Sequence, residues 1–159
     1  MKNNNIFFFK IFVCCLLSTV YSLLLFSCAL PRIVVLDDPL SPEEHLNLGV
    51  SYEKKGELDN ALKEYQEASG KLPDAYLFMG NIYFQKKEYD EAEAYYKKAI
   101  KKDRNNADAY NNLAWLYYTK NEQLDEAEKL ALKAMELNPA KKDIYQDTLD
   151  KIRGLKRSQ

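Results

Sequence analysis

The chain has 159 residues, enough for one ordinary domain and a leader. Its 23 basic and 24 acidic residues nearly cancel, to a formal net charge of −1, which argues against the basic surface typical of nucleic-acid binding. One histidine and three cysteines supply no spaced set of zinc ligands, and the sequence has no glycine-rich phosphate loop. We therefore expect no metal, no other cofactor, no small-molecule substrate and no enzymatic activity.

The first 36 residues form an apolar leader with three charges, Lys2, Lys10 and Arg32, and no carboxylate. A basic start followed by the apolar run Ile11 to Phe26 is typical of an export signal. That run has 16 residues, fewer than the ~20 that a membrane-spanning helix needs. A longer span from Ile6 to Phe26 would include Lys10 near one end, where its side chain can reach the membrane surface, so an uncleaved membrane anchor stays open as the alternative.

The tetrapeptide LFSC, which ends at Cys28, resembles the lipobox of bacterial lipoproteins. The resemblance implies cleavage before Cys28 and lipidation of that residue with several acyl chains, which hold a protein more firmly than one chain does. Ala29 replaces the aspartate that retains Gram-negative lipoproteins at the inner membrane, which favours the outer membrane in such a cell. The alternative is that Cys28 is one more apolar residue of the leader. We expect a signal peptide over residues 1–27, a linker over residues 28–40, and a lipid-anchored protein of the bacterial cell envelope that faces the periplasm.

Beyond residue 40 the sequence repeats itself, first with a spacing of 31 residues and then of 34 or 35. The aligned segments share a small residue, a tyrosine and two alanines. These positions are Gly49, Gly80 and Ala114; Tyr52, Tyr83 and Tyr117; Ala61, Ala92 and Ala127; Ala68, Ala99 and Ala134. The pattern resembles the tetratricopeptide repeat. It implies an all-α, right-handed superhelical solenoid with repeats over residues 41–72, 73–106 and 107–140, and a capping helix with a tail over residues 141–159.

Local signals predict where the helices begin and end. The sequence SPEE at Ser41 has the form of a capping box, and breaks between paired helices are expected at Gly56, at Lys87 to Tyr89 and at Asn121 to Leu124. We predict a capping helix over Lys141 to Leu155. Its predicted buried stripe is Ile144, Thr148, Ile152 and Leu155. Seven tyrosines in repeat positions are predicted to be core residues: Tyr52, Tyr65, Tyr76, Tyr83, Tyr96, Tyr110 and Tyr117.

In the tetratricopeptide family the first helix of each pair lines a concave groove that holds a segment of another protein. Residues at helical steps of three and four form one stripe along these helices. The predicted partner-binding residues are Leu46, Val50, Leu77, Asn81, Phe84, Asn111, Trp115 and Tyr118. Trp115 fits a core position as well as a binding position. His45 occupies a packing position, so we predict a structural histidine.

Charge along the groove leaves two interpretations open. Glu43, Asp74 and Asp108 begin their helices, where carboxylates favour the positive helix end. An acidic rim that selects basic ligands is the alternative. Some relatives hold a partner's terminal carboxylate with lysine, arginine and asparagine in the groove. Leu46, Val50 and Phe78 stand at those positions here, so we predict that this clamp is absent.

These features together predict a membrane-anchored scaffold or adaptor. We expect it to bind a protein or peptide segment with apolar or aromatic side chains and to support the assembly of an envelope complex. The stretch from Val34 to Glu53 also resembles the junction before the repeats in bacterial lipoproteins that have a cysteine-peptidase domain. The alternative function is therefore a non-catalytic accessory subunit of an envelope peptidase or export system. A structural spacer without any ligand is a third possibility.

Overall fold

The computed structural model of the chain describes residues 39–159, so the predicted signal peptide, Cys28 and the linker up to residue 38 lie outside the described residues. The described part consists of seven α-helices and no strand, which confirms the predicted all-α class. The helices are α1 Pro42–Lys54, α2 Leu58–Ala68, α3 Asp74–Gln85, α4 Tyr89–Lys102, α5 Ala107–Lys120, α6 Leu124–Leu137 and α7 Lys142–Arg157. A short 3₁₀ turn, Pro139–Lys141, precedes α7. Within residues 39–159 no helix is long and apolar enough to cross a membrane.

The helices stack in sequence order as a solenoid of hairpins. Within each hairpin α1 packs on α2, α3 on α4, and α5 on α6, and each hairpin then packs on the next through α2 with α3 and α4 with α5. The odd-numbered helices also contact one another, α3 with α5 and α5 with α7. This arrangement confirms the predicted solenoid and places the odd-numbered helices side by side.

The start of α1 shows the predicted capping box. The Ser41 hydroxyl accepts from the Glu44 backbone N–H at 3.2 Å, and the Glu44 carboxylate accepts from the Ser41 backbone N–H at 2.7 Å. Pro42 occupies the first turn, where its missing N–H costs no helical hydrogen bond. Because Pro42 has no N–H, three N–H groups at the helix start lack a helical acceptor, and the capping box satisfies two of them, those of Ser41 and Glu44.

The turn inside each hairpin has the same backbone geometry in all three repeats. Glu57 donates to the carbonyl of Tyr52, Glu88 to that of Tyr83, and Glu122 to that of Tyr117, each five residues back. This bond requires a left-handed residue just before the donor. The residues in that position are Gly56 (φ 79°), Lys87 (φ 63°) and Asn121 (φ 55°). The predicted breaks are confirmed, and the third turn has one additional left-handed residue, Gln123 (φ 50°).

Glycine and tyrosine form a matched pair inside the first two hairpins. A Cβ atom built on Gly80 would lie 2.6 Å from the Tyr96 ring, and one built on Gly49 would collide with the Tyr65 ring in the same way. In the third hairpin Ala114 occupies the small position and Ala131 the ring position, and both are fully buried. The close approach of two helices therefore needs glycine only where a tyrosine ring faces it.

The tyrosines divide into two groups. Tyr65, Tyr76, Tyr96 and Tyr117 are buried as predicted. Tyr52, Tyr83 and Tyr110 pack against the core as well, but they are only half-buried and lie at its edge. A buried hydroxyl group without a hydrogen-bond partner destabilises the fold. The hydroxyls of Tyr65, Tyr96 and Tyr117 each have one, since they donate to Glu53, Asn81 and Glu93 respectively.

Helix α7 takes the place that the first helix of a fourth repeat would have. In α3 the buried residues that precede Lys86 include Ala75, Met79 and Ile82. The corresponding residues before Lys120 in α5 are Ala109, Leu113 and Leu116, and those before Lys156 in α7 are Tyr145, Leu149 and Ile152. Each lysine then binds the aspartate near the start of the preceding even-numbered helix. These pairs are Lys86–Asp59 at 3.3 Å, Lys120–Asp90 at 3.2 Å and Lys156–Asp125 at 2.6 Å.

This register corrects the predicted stripe of α7. Thr148 and Ile152 are buried as predicted, but Ile144 is 62% exposed and Leu155 only half-buried, and the buried residues missed by the prediction are Tyr145 and Leu149. Both sets have helical spacing, and contact with α6 and α5 decides between them. The side of α7 that a further helix would cover is polar, with Gln146, Asp150 and Arg153, which suits the end of a stack.

Candidate functional site

The odd-numbered helices α1, α3, α5 and α7 form the candidate groove. Each contributes one stripe of side chains, and most of the predicted contact residues lie on it half-buried, as a binding surface requires. These half-buried residues are Leu46, Val50, Asn81, Phe84, Trp115 and Tyr118.

Two predicted contact residues are instead part of the packing. Leu77 and Asn111 are each only 9% exposed, so their side chains present little surface to a ligand. The physical reason is that α3 packs against α5 and α5 against α7, so part of each stripe is buried in the contact between neighbouring helices. Within residues 39–159 the Asn111 Oδ1 atom has no hydrogen-bond partner.

A pocket of about 370 Å³ lies between α1 and α3. Its apolar lining is Val50 and Phe78, and its polar lining is Glu53, Lys54, Asn81 and Gln85. Val50, Glu53 and Asn81 lie on the stripes that the helical spacing predicts for the groove, and Phe78 is one of the three residues placed above at the positions of the carboxylate clamp. Lys54 and Gln85 were not predicted, and each follows a stripe residue by one position in the sequence.

The pocket wall is fixed by a tyrosine that belongs to the hairpin core. The Phe78 ring stacks on the Tyr65 ring, with centroids 5.2 Å apart and an angle of 22° between the planes. The Tyr65 hydroxyl donates to Glu53 Oε2 at 2.7 Å. Burial, and then this bond to a carboxylate, raise the pKa of the Tyr65 hydroxyl well above its usual value, so it stays protonated and remains a donor.

Asn81 connects the pocket to the next repeat. Its Oδ1 atom accepts from the Tyr96 hydroxyl at 3.1 Å and from Asn112 Nδ2 at 2.8 Å. Both lone pairs are thus occupied, which fixes the orientation of the amide. Within residues 39–159 Asn81 Nδ2 donates no hydrogen bond, so this donor is available to a ligand.

The other end of the groove is aromatic and is bounded by α7. The Trp115 and Tyr118 rings are tilted by 38° with centroids 5.0 Å apart, and Lys151 Nζ lies 4.8 Å from the Trp115 centroid. Asp147 holds this ammonium at 2.6 Å. Trp115 is therefore neither a core residue nor fully exposed: α7 covers part of its ring, and the rest faces the groove.

Three family models match the chain, described as TPR repeat over residues 80–121 and as tetratricopeptide repeat over residues 45–70 and 106–138. Together they span more than half of the sequence, on the helices that form the hairpins. The chain belongs to the tetratricopeptide-repeat family. The three matched segments lie on the three hairpins, whose first helices α1, α3 and α5 carry the groove described above.

Curated tetratricopeptide relatives match over part of their length only. The chain is 36% identical over 104 residues to human protein O-mannosyl-transferase TMTC2, which covers 60% of this chain and 12% of that protein. It is 37% identical over 89 residues to Hsp70-Hsp90 organizing protein 1 of Glycine max, which covers 54% of this chain and 15% of that protein. The chain therefore spans a small fraction of the length of these relatives.

Solved tetratricopeptide structures confirm the fold. The first TPR of Spaghetti (RPAP3), bound to the HSP90 peptide SRMEEVD, superposes with a TM-score of 0.65 at 23% identity over 74% of this chain and 94% of that one. The TPR2B domain of yeast Sti1 in complex with an Hsp70 peptide has a TM-score of 0.65 at 23% identity over 71% of this chain and 96% of that one. At this identity the likeness establishes the shared architecture.

The acidic residues at the helix starts mostly join one repeat to the next. Asp74 accepts from Asn106 Nδ2 at 3.0 Å, and Asp108 accepts from the Tyr145 hydroxyl at 2.7 Å and from Lys141 at 2.6 Å. Two of the three carboxylates of the proposed acidic rim thus have structural partners. His45 is likewise structural as predicted, since it is buried with its Nδ1 atom 2.7 Å from Glu64 Oε2.

Residues 39–159 contain no group of three or more histidine, cysteine, aspartate or glutamate side chains arranged to hold a metal ion.

Proposed function

We propose that this tetratricopeptide protein is a scaffold or adaptor. It holds a segment of a partner protein in the groove of α1, α3, α5 and α7, a lipid on Cys28 keeps it at the membrane of a bacterial cell envelope, and there it supports assembly of an envelope complex. The observation that supports this proposal best is the groove itself, in which the half-buried rings of Phe84, Trp115 and Tyr118 leave apolar surface for a ligand.

The contents of the groove suit a polypeptide ligand. The pocket between α1 and α3 is large enough for one side chain, the Asn81 amide offers a donor for a backbone carbonyl, and the Trp115 and Tyr118 rings offer apolar area at low entropic cost. The RPAP3 and Sti1 structures are complexes with chaperone peptides, which supports a peptide as the class of ligand.

A capture experiment tests the groove. Tagged full-length chain and its Trp115→Ala variant are compared for partner proteins retained from solubilised envelopes, with Leu132→Ala, on the exposed side of α6, as the matched control. We expect the partner to be lost with Trp115→Ala alone, while the helical circular dichroism of both variants stays that of the wild type. Retention of the same partner by Trp115→Ala would contradict the assigned groove.

A labelling experiment tests the anchor. The sequence LFSC supports lipidation at Cys28, and we expect an alkyne-tagged palmitate to label the full chain and the Cys14→Ser variant but not Cys28→Ser. The intact mass separates the two kinds of anchor, because a lipoprotein loses residues 1–27 and an uncleaved anchor keeps them. Palmitate on Cys28→Ser, or an unprocessed and unlabelled wild type, would exclude the lipoprotein proposal.

A further inference from the structure

The pocket between α1 and α3 has one carboxylate that the fold orients and leaves incompletely bonded. Glu53 is half-buried, and its Oε2 atom accepts from the Tyr65 hydroxyl at 2.7 Å. Its Oε1 atom has no donor among the side chains of residues 39–159. A carboxylate has about four lone-pair positions, so Glu53 can accept further hydrogen bonds from a ligand without breaking the bond to Tyr65.

The lysine next to this carboxylate does not neutralise it in a fixed geometry. Lys54 lines the same pocket but is exposed, and no carboxylate in the described part of the chain forms an ion pair with it. Its long side chain can keep the ammonium group in water when a ligand enters. Glu53, in contrast, loses no rotamer freedom on binding, because Tyr65 already holds it.

Elsewhere in the groove the charges are already paired. Asp108 binds Lys141 at 2.6 Å, and Asp147 binds Lys151 at 2.6 Å. At the α1 and α3 end, by contrast, Asp74 accepts from the neutral amide of Asn106 and forms no ion pair within residues 39–159. The uncompensated charge of the groove is therefore negative and lies at the α1 and α3 end, with Glu43, Glu53 and Asp74 against Lys54.

Resting on the proposed scaffold function, we propose that this pocket holds a basic side chain of the partner segment, with arginine preferred over lysine. The aliphatic stem packs on Val50, the planar guanidinium lies against the Phe78 ring, and its N–H groups donate to Glu53 Oε1. Asn81 Nδ2 donates to a backbone carbonyl of the same segment. The partner segment thus has a basic residue at the α1 and α3 end of the groove and an apolar or aromatic residue at the Trp115 end.

Three matched peptides test this specificity. The probes are N-acetylated, C-amidated heptapeptides Ala-Leu-Ala-X-Ala-Leu-Ala in which X is arginine, norleucine or glutamate, so that they differ in one side chain. Binding to the full chain in zwitterionic detergent is measured by titration calorimetry at low ionic strength, where exposed charges are least screened. We expect the arginine peptide to bind about tenfold more tightly than the norleucine peptide, since hydrogen bonds to charged groups contribute on this order, and the glutamate peptide to bind most weakly.

Variants assign the preference to the pocket. Glu53→Gln keeps an acceptor for Tyr65 and should abolish the difference between the arginine and norleucine peptides. Glu67→Gln makes the same charge change at an exposed position on α2 and should leave the difference unchanged. Glu53→Lys should reverse the order and favour the glutamate peptide.

Three results would overturn the proposal. The first is a glutamate peptide that binds the wild type as tightly as the arginine peptide, which would mean that the pocket does not select a positive charge. The second is an arginine preference that survives Glu53→Gln. The third is the absence of binding by all three peptides at about 1 mM. If partner capture still depended on Trp115 in any of these cases, the scaffold function would stand and only the basic specificity would fall.

Discussion

At the scale of single residues, the spacing between paired helices depends on two positions that must be read together. Gly80 faces the Tyr96 ring in the second hairpin, whereas Ala114 faces Ala131 in the third. The glycine is thus required by the ring opposite it and not by the backbone, since neither Gly49 nor Gly80 has a positive φ. Sequence alignment of the repeats finds both positions but does not show that they depend on each other.

This dependence predicts that Gly80→Ala lowers the free energy of unfolding when residue 96 is tyrosine and raises it when residue 96 is alanine. In the wild type the added methyl group collides with the Tyr96 ring, and we expect the free energy of unfolding to fall by about 1 to 2 kcal/mol despite the better helix propensity of alanine. In a Tyr96→Ala background, itself destabilised by roughly 3 to 5 kcal/mol, the same change should stabilise by up to about 1 kcal/mol. Urea unfolding of the four proteins gives the coupling energy, and equal effects in both backgrounds would refute the pairing.

Lys87 offers a second test at this scale. It has a left-handed backbone at φ 63° and is exposed, and within residues 39–159 its side chain forms no hydrogen bond or ion pair that would offset the cost. Lys87→Gly should raise the free energy of unfolding by roughly 0.5 to 1 kcal/mol, because glycine adopts this conformation without steric penalty. Gly56→Ala at the equivalent turn, where a Cβ atom meets open space, should lower it by a similar amount. A chemical denaturation series measures both, and effects of the same sign would contradict this account of the turns.

At the scale of helices, sequence reasoning located α7 but misplaced its buried side. Two interleaved stripes have helical spacing, one through Ile144 and the other through Tyr145, and amphipathic periodicity alone does not separate them. The 3₁₀ turn Pro139–Lys141 and the docking of α7 on α6 select the second. The ion pair between Lys156 and Asp125 repeats those of Lys86 and Lys120, and this long-range regularity could have identified the register from the sequence.

The junction of α6 and α7 predicts a pH-dependent stability. Hydrogen bonds from Lys156 at 2.8 Å and Arg153 at 2.7 Å hold the pKa of Glu128 below its usual value. A carboxyl group with a lowered pKa in the folded state stabilises above its unfolded pKa and loses that contribution as the pH falls through the folded value. Glu128→Gln should therefore cost about 1 kcal/mol at pH 7, and the difference from wild type should shrink as the pH falls below about 4.

Denaturation of both proteins across that pH range measures the effect. Glu126→Gln is the control, because the ion pair of Glu126 is with Lys129 of the same helix, at 3.4 Å, and does not join α6 to α7. A cost of Glu128→Gln that stays constant down to acidic pH would show that the amide is harmful for a reason other than lost charge pairing.

At the scale of the whole molecule, the period of the repeat predicted the hairpins and the helices that line the groove, but not how deep each stripe residue lies. Leu77 and Asn111 are buried because neighbouring odd-numbered helices are in contact. The spacing of apolar residues within one repeat does not indicate such packing between repeats. The same holds for the bond between Asn81 and Asn112, which joins two repeats 31 residues apart. The residues that line the groove could thus be predicted from the sequence, whereas the depth to which each is buried could not.

A solenoid of three repeats depends on its ends, because each repeat contacts only its neighbours. In this molecule α7 buries Tyr145, Leu149 and Ile152, each at most 1% exposed, and each worth roughly 1.5 to 3 kcal/mol of transfer free energy. Their sum is comparable with the total stability of a small domain.

A chain that stops after Asn138 and so lacks α7 should therefore lose cooperative thermal unfolding. It should also expose the apolar side of α6, which is measured as binding of a hydrophobic dye. A chain that stops after Arg157, lacking only Ser158 and Gln159, should melt within a few degrees of wild type. Cooperative melting of the shorter chain near the wild-type temperature would mean that three hairpins are stable alone and that α7 serves the groove rather than the fold.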